Sequence, residues 1–176
     1  PVPTTQSQAV LIGLCFNHAP PTAEFLKSVI STLKGVSAAW LAVIDDNSLQ
    51  AAQWTQDAQH LMPTGRLSLH FIDEAAKQGA HEVLRDALPM LVFYPGYCTT
   101  VSYPDIHMDE CFAGTLQLCC FNQRDDISRD AFTGRWLDEH TAVALETQST
   151  VGYRQNLIDQ RPDIGTENLA PDPSYD

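Results

Sequence analysis

Two apolar runs in this chain end in nearly the same way, and that likeness limits the fold more than any other feature. Leu14-Cys15-Phe16-Asn17 closes the first run and Cys119-Cys120-Phe121-Asn122 closes the second. A turn follows each, with Pro20-Pro21 in the first case and Arg124-Asp125-Asp126 in the second, and a helical pattern then begins. In the first copy Phe25, Val29 and Leu33 carry the expected buried stripe, joined by Leu26 and Ile30. In the second, Phe132, Trp136, His140 and Val143 recur at helical spacing. Aligning Phe25 with Phe132 sets Val29 against Trp136 and Leu33 against His140. One copy therefore keeps a hydrophobe where the other carries an imidazole. A buried imidazole must find a partner, and histidine is the side chain most easily moved across neutrality. His140 is thus the first candidate for chemistry.

The remaining N-terminal segments complete a unit. Trp40 to Ile44 reads as a short buried strand and Asp45-Asp46-Asn47-Ser48 as a turn. Gln53 to Leu61 is expected to be a helical excursion that ends near Met62-Pro63. Leu67 to Ile72 alternates as a strand, Glu74 to Leu88 has helical period, and Leu91 to Tyr94 is a further strand, with Tyr94-Pro95-Gly96-Tyr97 able to bend it. The order is β-α-β-β-α-β, to about Tyr103. The second copy has a strand at Gly114 to Phe121, a helix from Ser128 to about Glu146, and a strand opening at Tyr153. Ser128 suits an N-cap, and Asp130 sits in the first turn, where a carboxylate favours the helix dipole. From Arg161 to Asp176 the chain is polar and proline-punctuated, without periodicity, and reads as loop. The expected last strand-helix-strand is absent, which leaves three explanations: residues missing beyond Asp176, completion by another chain, or a tail folded across the open edge. Missing residues are the preferred explanation, because an uncovered half-sheet exposes unpaired strand edges.

At 176 residues the chain can bury a real core, as one domain or two small ones. Ten basic against 22 acidic residues give a formal charge of −12, which disfavours nucleic acid or an anionic membrane as partner. No apolar run approaches a spanning length, and the first residues are neither a basic nor an apolar signal segment. Cys15, Cys98, Cys111, Cys119 and Cys120 form no C-x-x-C pair, and adjacent strand cysteines point to opposite faces. Reduced thiols in a cytoplasmic protein are the expectation.

An apolar strand, then Ser-x-x-x-Phe-x-x-x-Trp-x-x-x-His on a helix, then a strand beginning Tyr-x-Gln-Asn is the pattern of Ser128, Phe132, Trp136, His140, Tyr153, Gln155 and Asn156. Across the last third of the chain this resembles the EthD-type domain of the dimeric α+β barrel superfamily. The resemblance implies a ferredoxin-like unit whose sheet pairs with a second such sheet around a mostly apolar cavity. It also implies action without metal or organic cofactor on small aromatic, polyketide-like or lactone substrates.

Other residues offer sharper and blander readings. Tyr153 and Gln155 share one face of their strand, and Arg154 and Asn156 the other. Tyr153 either donates a hydrogen bond to a developing enolate or phenolate oxygen or simply packs, and Gln155 either meets substrate or ties down a loop. Asp105, His107 and Asp109 would share a face if extended, a workable hard-metal set, but a solvated acidic linker is commoner. Glu139 is expected to pair with Arg135 at the helix surface. His18 at a turn, and His60, His70 and His81, fit no ligand spacing.

The expected fold is α+β: two tandem ferredoxin-like units, residues 1–105 as scaffold and 106–176 as a partial unit carrying the site, in a dimeric α+β barrel-like arrangement. The expected function is a cofactor-independent lyase or isomerase that moves a proton on a small apolar carbonyl or phenolic compound. On this expectation His140 moves the proton, Tyr153 stabilises the oxyanion, and Phe132, Trp136 and Gln155 bind substrate. The expected partners are a small-molecule substrate and a second copy in a homodimer, with no nucleic acid, membrane, metal or organic cofactor. A non-catalytic small-molecule binding or assembly protein on the same fold is the rival, since fold alone does not decide function.

Overall fold

The computed structural model describes residues 7–16, 18–44, 63–102, 116–119, 123–147 and 152–159, with the backbone alone described at 100–102. In chain order these form β1 (Ser7–Cys15), α1 (Ala23–Ile30), β2 (Val36–Val43), β3 (Gly65–Phe71), α2 (Glu74–Ala87) and β4 (Leu91–Ser102). A long helix follows, built from α3 (Arg129–Gly134), a π-helical turn (Arg135–His140) and α4 (Thr141–Thr147), and then β5 (Tyr153–Ile158). The protein is α+β, with an open, antiparallel five-stranded sheet in the order β2-β3-β1-β4-β5. β3 lies between β1 and β2, and β1 between β3 and β4, so α1 and α2 are the crossovers. This arrangement is compatible with a ferredoxin-like fold, with β5 added beside β4.

The sheet follows from its side chains. β1 and β3 pair from Ala9↔Phe71 to Cys15↔Gly65, which puts Ala9, Leu11 and Cys15 on the same face as Leu67, Leu69 and Phe71. That face forms one core with Leu26 of α1, with Ala80, Leu84 and Leu88, and with Leu91 and Phe93 of β4. Each fully buried Leu or Phe here contributes on the order of 1.5–3 kcal/mol. Capping sets where the helices start. Thr22 accepts from Phe25 N at 3.3 Å, Asp73 from Ala76 N at 2.7 Å and Ser128 from Ala131 N at 3.2 Å; each such cap contributes about 1 kcal/mol. Gly35 has φ +73°, and a side chain there would drive into Ala76, so only glycine passes between the turn after α1 and the start of α2.

The chain divides into two compact units. One comprises Gln8–Tyr97 with Leu157–Asp172, and the other Pro1–Ser7, Cys98–Asn156 and Pro173–Asp176.

Several expectations need correction. Phe25 is 45 % exposed, whereas Leu26 is buried and Val29, Ile30 and Leu33 pack against the core as expected. Residues 25 and 26 are about 100° apart on a helix, so with Leu26 inward Phe25 turns toward solvent. α1 ends at Ile30, leaving Leu33 beyond the helix, whereas His140 lies inside a helix that runs on to Thr147. Leu33 and His140 are therefore not equivalent positions, and the residue-by-residue alignment of the two copies fails at the histidine. Leu116–Cys119 are described and are not strand, although a strand over Gly114 to Phe121 was expected. β4 continues through Tyr94-Pro95-Gly96-Tyr97 to Ser102 and is much longer than expected. The expected excursion over Gln53 to Leu61, the Asp105, His107 and Asp109 set, and the tail after Arg161 lie outside the described residues. Among the described residues no helix is long and apolar enough to cross a membrane.

Candidate functional site around the π-helical turn

The long helix begins as the sequence suggests, with Ser128 capping and Asp130 in the first turn. Phe132 and Trp136, one turn apart, stack with ring centroids 5.9 Å apart and planes at 27°, and both are half-buried. The Arg129 guanidinium lies 5.9 Å from the Phe132 ring centroid. The turn Arg135–His140 then opens from α to π. A π turn closes its hydrogen bonds over five residues instead of four, so it delays the buried face by one position. The inward residues after Trp136 are accordingly Thr141 and Ala144, both buried. His140 is exposed and Val143 is 54 % exposed. The spacing that placed His140 inside assumed an unbroken 3.6-residue period, and the helix departs from it at this point. Arg135 and Glu139 form no ion pair.

Gln155, on β5, closes the wide turn. It is 2 % exposed, and its Nε2 donates to the carbonyl oxygen of Trp136 at 2.6 Å. Its Oε1 accepts from the Thr141 hydroxyl at 2.8 Å. These partners are five residues apart, so a single amide spans one π turn. Gln155 thus ties β5 to the π turn of the helix. Tyr153 lies on the same face two residues earlier and is half-buried. Burial pushes its phenol up, hydrogen bonding from the Gln155 side pulls it down, and electrostatic interaction with Cys119 pushes it up, with a net rise. The phenol therefore stays protonated across the physiological range and can donate a hydrogen bond. Thus Trp136, Thr141 and Gln155 form one connected group, Phe132 stacks on Trp136, Tyr153 lies on the strand face of Gln155, and the exposed His140 precedes Thr141 in the helix.

The sequence reading missed a second polar centre, in the other unit. Lys77 of α2 is 2 % exposed, and its Nζ donates to the Gly96 carbonyl at 3.2 Å. It also contacts Asp159 Oδ2 at 3.4 Å and Glu74 Oε2 at 2.9 Å, and sits 4.6 Å from the centre of the Tyr97 ring. Burial pushes the Glu74 carboxyl up, but hydrogen bonding and charge from Lys77, with help from Tyr97 and Gln78, bring it below the ordinary value. The hydrogen bond to Glu74 raises the Tyr97 phenol. The signal was present in the sequence: Lys77, Ala80 and Leu84 are spaced as a buried stripe, and all three are buried. This centre anchors the end of β5, where Asp159 N also donates to Pro95 O at 3.0 Å. A side chain at Gly96 would collide with the Leu157 carbonyl.

Among the described residues no group of three or more His, Cys, Asp or Glu side chains could hold a metal ion. Comparison with known proteins found no matching family model, no similar curated protein and no similar solved structure.

Proposed function

We propose that the protein is a cofactor-independent lyase or isomerase of the EthD type, acting by proton transfer on a small apolar carbonyl or phenolic compound, with the chain arranged as tandem ferredoxin-like units. The observation that carries this reading is the half-buried Tyr153 phenol, on the same strand face as Gln155, whose amide binds the aromatic helix at Trp136. In the proposed reaction the His140 imidazole takes the proton from a carbon next to the substrate carbonyl. The C–H electron pair forms a C=C bond as the carbonyl π pair moves onto oxygen, and Tyr153 donates a hydrogen bond to that oxyanion. Returning the proton to a different carbon isomerises the substrate; expelling a β-hydroxyl, protonated as it leaves, dehydrates it. The Phe132–Trp136 stack supplies an apolar wall, and the exposed His140 can pass its proton to water.

The test follows deuterium uptake next to the carbonyl by NMR, over a panel of small phenolic ketones, β-keto acids and lactones. The wild-type protein should catalyse exchange on at least one of them. Tyr153→Phe and His140→Gln should each slow it roughly a hundredfold or more with unchanged circular dichroism. Equal rates in both folded variants would falsify the assignment.

The exposure of His140 favours one other reading, in which the same aromatic wall binds a small molecule without turnover. Saturable calorimetric binding with no exchange in the wild type would decide for it.

A further inference from the structure

We propose that β2 is a self-association edge: two copies of the chain pair antiparallel along residues 38–43 and join their sheets into one. β2 ends the sheet, and among the described residues no strand pairs with its outer side. The edge of a sheet presents a row of backbone donors and acceptors that templates a further strand, and edges are usually blunted by charge, proline or a bulge. β2 has a bulge between Val36 and Ala38, which leaves residues 38–43 in regular register with β3. Their sequence, Ala-Ala-Trp-Leu-Ala-Val, holds neither charge nor proline. β5, at the other end of the sheet, is shorter and carries Arg154.

Side chains and charges both favour a second copy as the occupant. Ala39 and Leu41 stand opposite Leu69 and Leu67, and Val43 opposite Gly65, so they continue the core face of β3 outward. There they meet solvent, with Leu41 38 % and Val43 51 % exposed. In an antiparallel two-fold pair the same row of the partner lies alongside, and each row covers the other. The formal charge of −12 works against bringing two copies together. Residues 35–44 are uncharged, however, and in sequence they run from Lys34 to Asp45-Asp46. A two-fold axis close to Trp40 sets Ala39 of one copy against Leu41 of the other. It also brings the lysine end of each strand to the acidic end of its partner, whereas parallel pairing opposes like charges at both ends. A foreign strand would need the same charge order, and a second copy has it by construction.

Sedimentation equilibrium of the full chain over a range of concentrations reads the association. The wild type should reach twice its monomer mass, reversibly. Leu41→Lys places a charge on each side of the contact and should weaken the dimer at least about tenfold, with unchanged circular dichroism. Lys34→Glu should weaken it less, and adding Asp45→Lys and Asp46→Lys to Lys34→Glu should restore it. In a sample mixed from 13C-labelled and unlabelled protein, filtered NOEs should join the methyl groups of Ala39 and Leu41 across copies. A monomeric wild type overturns the proposal: slow deuterium exchange of the β2 amides would then assign the edge to a segment of the same chain, and fast exchange would leave it to another protein. A dimer that survives in folded Leu41→Lys, that lacks the Ala39–Leu41 NOEs, or that the reversed charges fail to restore also overturns it. If Leu41→Lys does not fold, Val43→Lys at the strand end and the NOEs of the wild type decide.

Discussion

Helix α2 and the long helix of α3, π turn and α4 each carry an ionisable residue at a place where regular spacing calls for a hydrophobe, and they treat it in opposite ways. In α2 the period holds, and Lys77 goes inside with Ala80 and Leu84. The protein meets that demand with a backbone carbonyl, two carboxylates and an aromatic face. In the long helix the period breaks, one residue is absorbed by the π turn, and His140 goes outside. What enters the interior there is the hydroxyl of Thr141, a far cheaper group to bury. The difference shows that an ionisable residue on a hydrophobic stripe poses two questions: whether the stripe stays in register, and whether partners exist.

The contrast breaks most readily at Lys77. Lys77→Met removes a buried charge and leaves the Gly96 carbonyl and two carboxylates without their cation. It should cost about 3 kcal/mol in urea unfolding, at the low end for breaking a buried pair because Glu74 and Asp159 are partly solvated. The pH dependence follows from Glu74. Its folded value is depressed, so the associated stability is present above the unfolded value of about 4.3 and is lost as pH falls through the lower folded value. Acid should therefore weaken the wild type more than Lys77→Met, and parallel pH profiles would show that the ion pair contributes nothing.

A smaller effect is expected at the π turn. Thr141→Val keeps the shape but leaves Gln155 Oε1 buried without a donor, at a cost of roughly 1–2 kcal/mol. The smallest belongs to His140. His140→Leu should change stability by no more than about 0.5 kcal/mol, as at other exposed sites, and a larger loss would mean that the imidazole is held inside after all.

Much of the fold was legible because local rules and tertiary packing agree there. The period-2 strand at Leu67, the capped helix from Glu74 and the Ser128 cap all lie close to where their residues place them. On the apolar stripe of α1 Phe25 alone was misplaced, because Phe25 and Leu26 are adjacent and composition cannot tell which of two neighbouring hydrophobes turns inward. The candidate site was half legible. Tyr153 and Gln155 share a face as strand alternation requires. The register of His140 was not legible, because nothing in Arg-Trp-Leu-Asp-Glu-His announces a π turn. That turn is matched by a glutamine amide fourteen residues beyond Thr141, a non-local contact that no period encodes.

The burial of Lys77 has a use at the bench. Lys27 and Lys34 are exposed, so of the chain's three lysines two should react promptly with a water-soluble acylating reagent and one should lag. Lys77 reacts only when its ammonium is released from Gly96, Glu74 and Asp159. The rate at which that one peptide gains mass, read by mass spectrometry, is then a clock for how often the end of β5 lets go.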